Sequence, residues 1–135
     1  MWLKLVLAIV VLFHGVGHLL FLVPTLGVAD WAGQTGHSWA LTGMLGDGPT
    51  RAIGAVLWVA TIVLFVAGVA GFLTAQPWWV GVTVLASILS IAGIVLLWDG
   101  IATSNAVMAL AVDIVILVAL LVAHWPGSEI VGASS

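Results

Sequence analysis

The sequence predicts an all-α fold: an integral membrane four-helix bundle, with one longer loop between spans 1 and 2. Three observations point there. Of 135 residues, 64% are hydrophobic and only 5% are charged, where soluble domains usually carry about 25% charged residues. Four apolar stretches each come near the ~20 residues that cross ~30 Å of hydrocarbon as a helix. Most of the eight tryptophans fall near the ends of those stretches, as interfacial anchors do. A water-facing surface cannot be built from the two basic residues, Lys4 and Arg51, but a lipid-facing one can.

The spans are expected at Leu3–Val23, Ala52–Ala75, Trp78–Trp98 and Asn105–Ala123, within a single domain covering residues 1–135. The first could be mistaken for a signal peptide. Its apolar run from Leu5 to Val23 exceeds the usual ~7 to 15 residues of such a segment, so it reads as a membrane helix. Many of these residues are β-branched, which would favour strands in water. In lipid a span must satisfy its own backbone hydrogen bonds, and helices win. The stretches are also too evenly apolar for the alternating strands of a membrane barrel.

Breaks between the spans carry turn chemistry. Pro24 follows span 1, Gln76-Pro77 makes a tight turn, and Asp99-Gly100 ends span 3. Asn105 is expected to cap span 4, and Pro126-Gly127 follows it. Residues 24–51 hold most of the polar groups outside the spans: Asp30, Gln34, His37, Asp47 and Arg51. Glu129 and the last residues read as a short tail.

Tryptophan placement sets the topology. Trp2, Trp78, Trp79 and Trp125 fall on one side of four alternating spans. Trp98, Trp31 and Trp39 fall on the other, with Trp58 about a turn and a half inside it. This belt implies an even number of spans with both termini together. Lys4 favours a cytoplasmic amino terminus and Arg51 argues against it; the expectation is a multi-pass cell-membrane protein with both termini in the cytoplasm. Helix contacts are expected at Gly68 and Gly71 of span 2 and at Ala86, Ser90 and Gly93 of span 3, since small residues let helices approach closely in lipid.

Composition excludes several function classes. Without cysteine there is no disulfide, thiolate nucleophile or iron–sulfur cluster. A formal charge of −3 with two basic residues leaves nothing to grip phosphates, so no nucleic-acid partner is expected. No GxSxG, glycine-rich phosphate loop, HExxH or redox CxxC is present.

The chemistry concentrates in three residues. His14 and His18 are four apart and share a helix face. Asp113 lies near the middle of span 4, at the depth of His14. An isolated aspartate there costs at least ~2.5 to 3.5 kcal/mol, so it should pair with one of these histidines. The pair could be a proton, ion or substrate site, with His18 relaying outward and Asn105, Thr103 and Ser104 extending the polar path. It could instead lock two helices, a contact of about 0.6 to 2 kcal/mol, or meet a partner subunit. A metal site is disfavoured: three ligands fall short of the usual four of a closed zinc site, and His37 would join only if the loop folds in. A bis-histidine haem is disfavoured because His124 lies at the wrong depth. No cofactor is assigned. A second cluster, Arg51, Asp99, Asp47 and His37, stands at the mouths of spans 2 and 3. It should contain an Arg51–Asp99 or Arg51–Asp47 ion pair, or bind a substrate or lipid headgroup through the planar donor fork of Arg51.

The stretch Val11-Leu12-Phe13-His14-Gly15-Val16-Gly17-His18-Leu19-Leu20 resembles the first helix of the DoxX-like family of small bacterial membrane proteins. Its members have four helices and a Phe-His-Gly pattern in the first span, followed by Lys-Leu. Phe13, His14 and Gly15 match; His18 stands where the family often has Lys. The resemblance covers one span, and the rest only through the four-span plan. It implies association with membrane redox systems, including quinone-reducing oxidoreductases and oxidant-stress complexes, and carries over His14.

Three functions follow. The first is a DoxX-like membrane subunit of a redox or quinone-linked complex, meeting a lipid-soluble molecule at His14 and Asp113. The second is a small proton-coupled transporter working as an oligomer. The third is a structural or assembly subunit without its own activity. Expected partners are membrane lipid, a lipid-soluble small molecule, and either further copies of the chain or a larger complex.

Overall fold

The computed structural model describes residues 1–30 and 32–132. Trp31, assigned above to the belt, lies outside the described residues. Among those described, every regular element is helical. Helix α1 (Trp2–Gly17) and helix α2 (Leu19–Thr25) together form the first span. A short α3 (Thr42–Leu45) precedes α4 (Asp47–Leu73), then come α5 (Trp79–Leu96) and α6 (Thr103–Leu117). A π turn at Val118–Val122 extends α6, and α7 (Ser128–Val131) closes the described chain. Four of these segments are long and apolar enough to cross a membrane: Trp2–Thr25, Asp47–Leu73, Trp79–Leu96 and Thr103–Val122. The chain is therefore a multi-span α-helical membrane protein.

The helix ends depart from the sequence expectation for physical reasons. Helix α4 starts at Asp47, five residues early, after Gly46 turns the chain at φ 83°. Pro49 falls in its first turn, where the missing N–H is no loss, and Asp47 faces the positive end of the helix dipole. Pro24 lies inside α2, near its end, and the Thr25 hydroxyl donates to the Phe21 carbonyl at 2.7 Å. The cap of α6 is the extended Ala102, without a side-chain bond, so Asn105 is not the cap. At the α4/α5 turn, Ala75 takes φ 53°. Its N–H reaches Phe72 O at 3.2 Å, and that of Gln76 reaches Gly71 O at 2.8 Å. These two bonds make a Schellman closure.

Helices α4 and α5 pack most intimately. Trp58 lies across Gly93, Thr83 lies against Gly68, and Trp78 and Trp79 lie against Gly71; a Cβ at any of these glycines would collide. These are the small residues the sequence marked. Helix α1 packs on α4, and α6 packs chiefly on α5. Trp58 corrects the belt reading. It is fully buried in a core with Phe21, Leu22, Ile94, Leu97, Ile101 and Ala106, whereas Trp2, Trp39, Trp78, Trp98 and Trp125 are exposed.

The loop after α2 is stitched over the end of α5. Ser38 Oγ donates to Leu96 O at 2.6 Å, and Trp39 Nε1 to Val95 O at 2.8 Å. These bonds satisfy carbonyls that a helix end leaves without partners. At the other end, Lys4 Nζ donates to Val131 O at 2.6 Å, fixing α7 beside the first helix. The tail expected around Glu129 is thus ordered through Val131.

Candidate functional site

The site forms where three spans meet at mid-depth. His14 comes from α1, His18 from the break between α1 and α2, Ser90 from α5 and Asp113 from α6. His14 Nε2 lies 2.8 Å from Asp113 Oδ1. Ser90 Oγ lies 2.5 Å from Asp113 Oδ2 and 2.7 Å from His18 Nε2. The four side chains form one unbroken hydrogen-bonded chain. Asp113, Ser90 and His18 are buried, and His14 is largely so.

Local sequence positions each member. His18 stands where α1 stops, and its Nδ1 lies 3.0 Å from His14 O and 3.2 Å from Gly15 O. Carbonyls only accept, so Nδ1 carries a hydrogen and donates. Gly15 has no side chain because Phe65 occupies that space. The Phe65 ring meets His14 edge-on, with centroids 5.0 Å apart, and stacks on His18 at 5.8 Å. Phe21 and Trp58 complete an aromatic enclosure of His18 at 5.6 and 5.9 Å. Water is excluded on that side, and the polar bonds are strengthened by the low dielectric.

On its other side the site borders a parted seam. Helices α1 and α6 barely touch, and two cavities lie between them. One, of about 370 Å³, is lined by apolar groups such as Val11, Phe72, Val112, Val115 and Leu120. The other, of about 210 Å³, is lined by Phe13, His14, His18, Asn105, Met108 and Val112, among others. The His14–Asp113 bond stands between them and bridges the seam. At the rim of the smaller cavity, Phe13 is 73% and Met108 69% exposed, so in a bilayer it opens toward lipid.

The sequence reading brought His14, His18 and Asp113 together, and the structure adds Ser90. In the sequence Ser90 is one more small residue on a packing face. Only the position of α6 reveals that its hydroxyl joins Asp113 to His18. Asn105 lines the smaller cavity beside His14 and His18, whereas Thr103 and Ser104 are exposed. Trp58 Nε1, Thr61 Oγ1 and Ser87 Oγ are also buried in the bundle, without hydrogen-bond partners among the described residues. The contacts of Gly54 with Leu97, Trp58 with Gly93 and Gly68 with Thr83 fix the α4/α5 register. That register sets Thr61 at the level of Ser90.

The outer residues do not form one cluster. Asp99 Oδ2 pairs with His37 Nδ1 at 2.5 Å, and Asp99 Oδ1 accepts the Trp39 N–H at 2.9 Å. Arg51 pairs with neither Asp99 nor Asp47 among the described ion pairs. Its Nη1 instead lies 3.5 Å from Thr25 O, at the negative end of α2, with Gly27 and Gly36 packed against its side chain. Asp47 stands exposed in the first turn of α4, and His37 comes to Asp99 on the stitched loop.

His14, His18 and Asp113 offer ligand atoms within 4.8 Å of one another, a spacing that a metal ion can bridge. In this arrangement those atoms are engaged instead by one another and by Ser90. His37, weighed as a fourth metal ligand, is held by Asp99 just beyond the end of α5. What the chain of bonds can do directly is hold and pass a proton. Comparison with protein-family models, curated proteins and solved structures finds no match to this chain.

Proposed function

We propose that this chain is a DoxX-like membrane subunit of a redox or quinone-linked complex, with both termini on the cytoplasmic side. In this reading a lipid-soluble molecule exchanges a proton with His14 at the seam between α1 and α6. One observation carries the proposal: His14 both bonds to Asp113 at 2.8 Å and lines the lipid-facing cavity. A molecule entering from the bilayer meets an ionisable group there without crossing the core. Membrane-buried ionisable residues are costly and mark proton or substrate paths. The Phe13-His14-Gly15 resemblance supports the quinone-linked setting.

Extraction in native lipid particles tests the proposal. The co-purifying lipids and proteins would be identified by mass spectrometry, with wild type beside His14→Ala and Val112→Phe. The expected result is a quinone-type lipid enriched over the bulk membrane, together with an oxidoreductase, and the lipid lost in both variants. A lipid profile equal to bulk membrane in all three would end this reading.

The parted seam favours a second reading. With little packing between α1 and α6, the His14–Asp113 bond serves as the lock between the first and last spans. Intact lipid enrichment after His14→Ala, with weakened bundle stability, would select the lock.

A further inference from the structure

We infer that the His14–Asp113–Ser90–His18 chain holds one proton beyond those of an ionised aspartate and two neutral histidines. That proton moves between His18 and Asp113 through the Ser90 hydroxyl. The inference deepens the proton-exchange reading and rests on it for the proton's destination, although the count itself comes from geometry.

Three bonds run in series: His18 Nε2 to Ser90 Oγ, Ser90 Oγ to Asp113 Oδ2, and Asp113 Oδ1 to His14 Nε2. Each bond needs one hydrogen. The serine hydroxyl supplies one, and His14 supplies another as its Nε2 tautomer. A neutral His18 supplies none, because its single ring hydrogen is on Nδ1, facing His14 O and Gly15 O. With Asp113 ionised and His18 neutral, a ring lone pair would face a hydroxyl whose hydrogen already points at the carboxylate. The third hydrogen has to be present.

Two arrangements accommodate it. In one, His18 is an imidazolium whose Nε2–H donates to Ser90, and Ser90 donates to the Asp113 carboxylate. In the other, protonated Oδ2 of Asp113 donates to Ser90, and Ser90 donates to neutral His18. Conversion breaks His18 Nε2–H as a new Ser90 O–H forms. The original Ser90 O–H breaks as Asp113 Oδ2–H forms. Atoms and charge balance, and the set has no net charge in either state, which suits hydrocarbon. The described hydrogen bonds join no other ionisable side chain to the four, so the count stays within them. Ser90 therefore acts as the carrier between two storage positions, a role distinct from helix packing.

The test is a proton inventory of the wild-type protein in bilayers at neutral pH, with no quinone added. Solid-state ¹⁵N spectra of labelled histidine report the ring states. ¹³C spectra of labelled aspartate report the carboxyl states. Sequential ¹³C–¹⁵N correlations assign His14, His18 and Asp113 one by one, since all three are shielded from water. The expected result is that the imidazolium fraction of His18 and the protonated fraction of Asp113 add to one, with His18 Nδ1 always protonated. A sum near zero or two, or a bare Nδ1, overturns the inference. Ser90→Ala should turn His18 Nε2 into an unbonded ring nitrogen, and Ser90→Thr should restore the wild-type signal. Because no lipid-soluble molecule is needed, the proton count and the lipid-enrichment experiment can fail separately.

Discussion

The α4/α5 seam and the α1/α6 seam join neighbouring spans of one bundle by opposite means. Across α4/α5, glycines let whole side chains pass into the facing helix, as Trp58 does over Gly93. Across α1/α6 two cavities separate the helices, and a hydrogen bond bridges the gap. Lipid tails are as apolar as leucine, so burial alone drives no association inside a membrane. A seam must gain from close packing or from polar bonds. This protein uses packing at the α4/α5 seam and a polar bridge at the α1/α6 seam, which stays open.

The largest effect should come from spoiling the packed seam. Gly93→Leu places side-chain atoms where the Trp58 ring lies. We expect a loss of about 1–3 kcal/mol, read by reversible unfolding in mixed micelles. An unchanged transition would mean that α4 and α5 are not held by this contact. The next effect comes from the bridge. A double-mutant cycle of His14→Ala and Asp113→Ala should give a coupling of about 0.6–2 kcal/mol. Strictly additive losses would remove the bridge from the account.

Filling the open seam should do less to stability. Val112 lines both cavities, and Val112→Phe should change stability by no more than about 0.5 kcal/mol while displacing whatever lipid occupies the gap. A large destabilisation would show that the seam is tighter than its cavities imply. The smallest effect is at the tail. Lys4→Ala removes the bond to Val131 O and a cation placed 5.7 Å from the Phe72 ring centroid. Global stability should move by less than about 0.5 kcal/mol, while protease cleavage after Val122 should quicken. Equal cleavage rates would detach α7 from Lys4.

How much of this was legible in the sequence depends on the kind of interaction. Apolar length alone gives the four spans, because lipid leaves a crossing segment few alternatives. Depth arithmetic placed His14 level with Asp113, since each helical residue advances by a fixed rise. Ser90 was visible but ambiguous: serine is both small and a hydroxyl, and its use depends on which helix faces it. Trp58 misled for a related reason. Its distance from the span end matched an anchor, but the gap left by Gly93 on another helix draws it inward. For Arg51, charge points to a carboxylate or a lipid headgroup; no ion pair with Asp99 or Asp47 forms among the described residues, and a helix terminus supplies a carbonyl. The loop pairing of His37 with Asp99 joins residues 62 apart, and no local pattern encodes it.

The placement of Asp113 in the last span also bears on how the chain enters the membrane. Insertion machinery charges an acid at mid-helix about 2.5–3.5 kcal/mol, and the apolar residues of Thr103–Val122 are ample to carry one such group across. Synthesis runs from the amino to the carboxyl end, so both histidines and the serine are made before Asp113. The acid therefore arrives after its partners. A circularly permuted chain that synthesised α6 first would have to insert Asp113 with no receiving site, making the order of translation part of how this bundle is assembled.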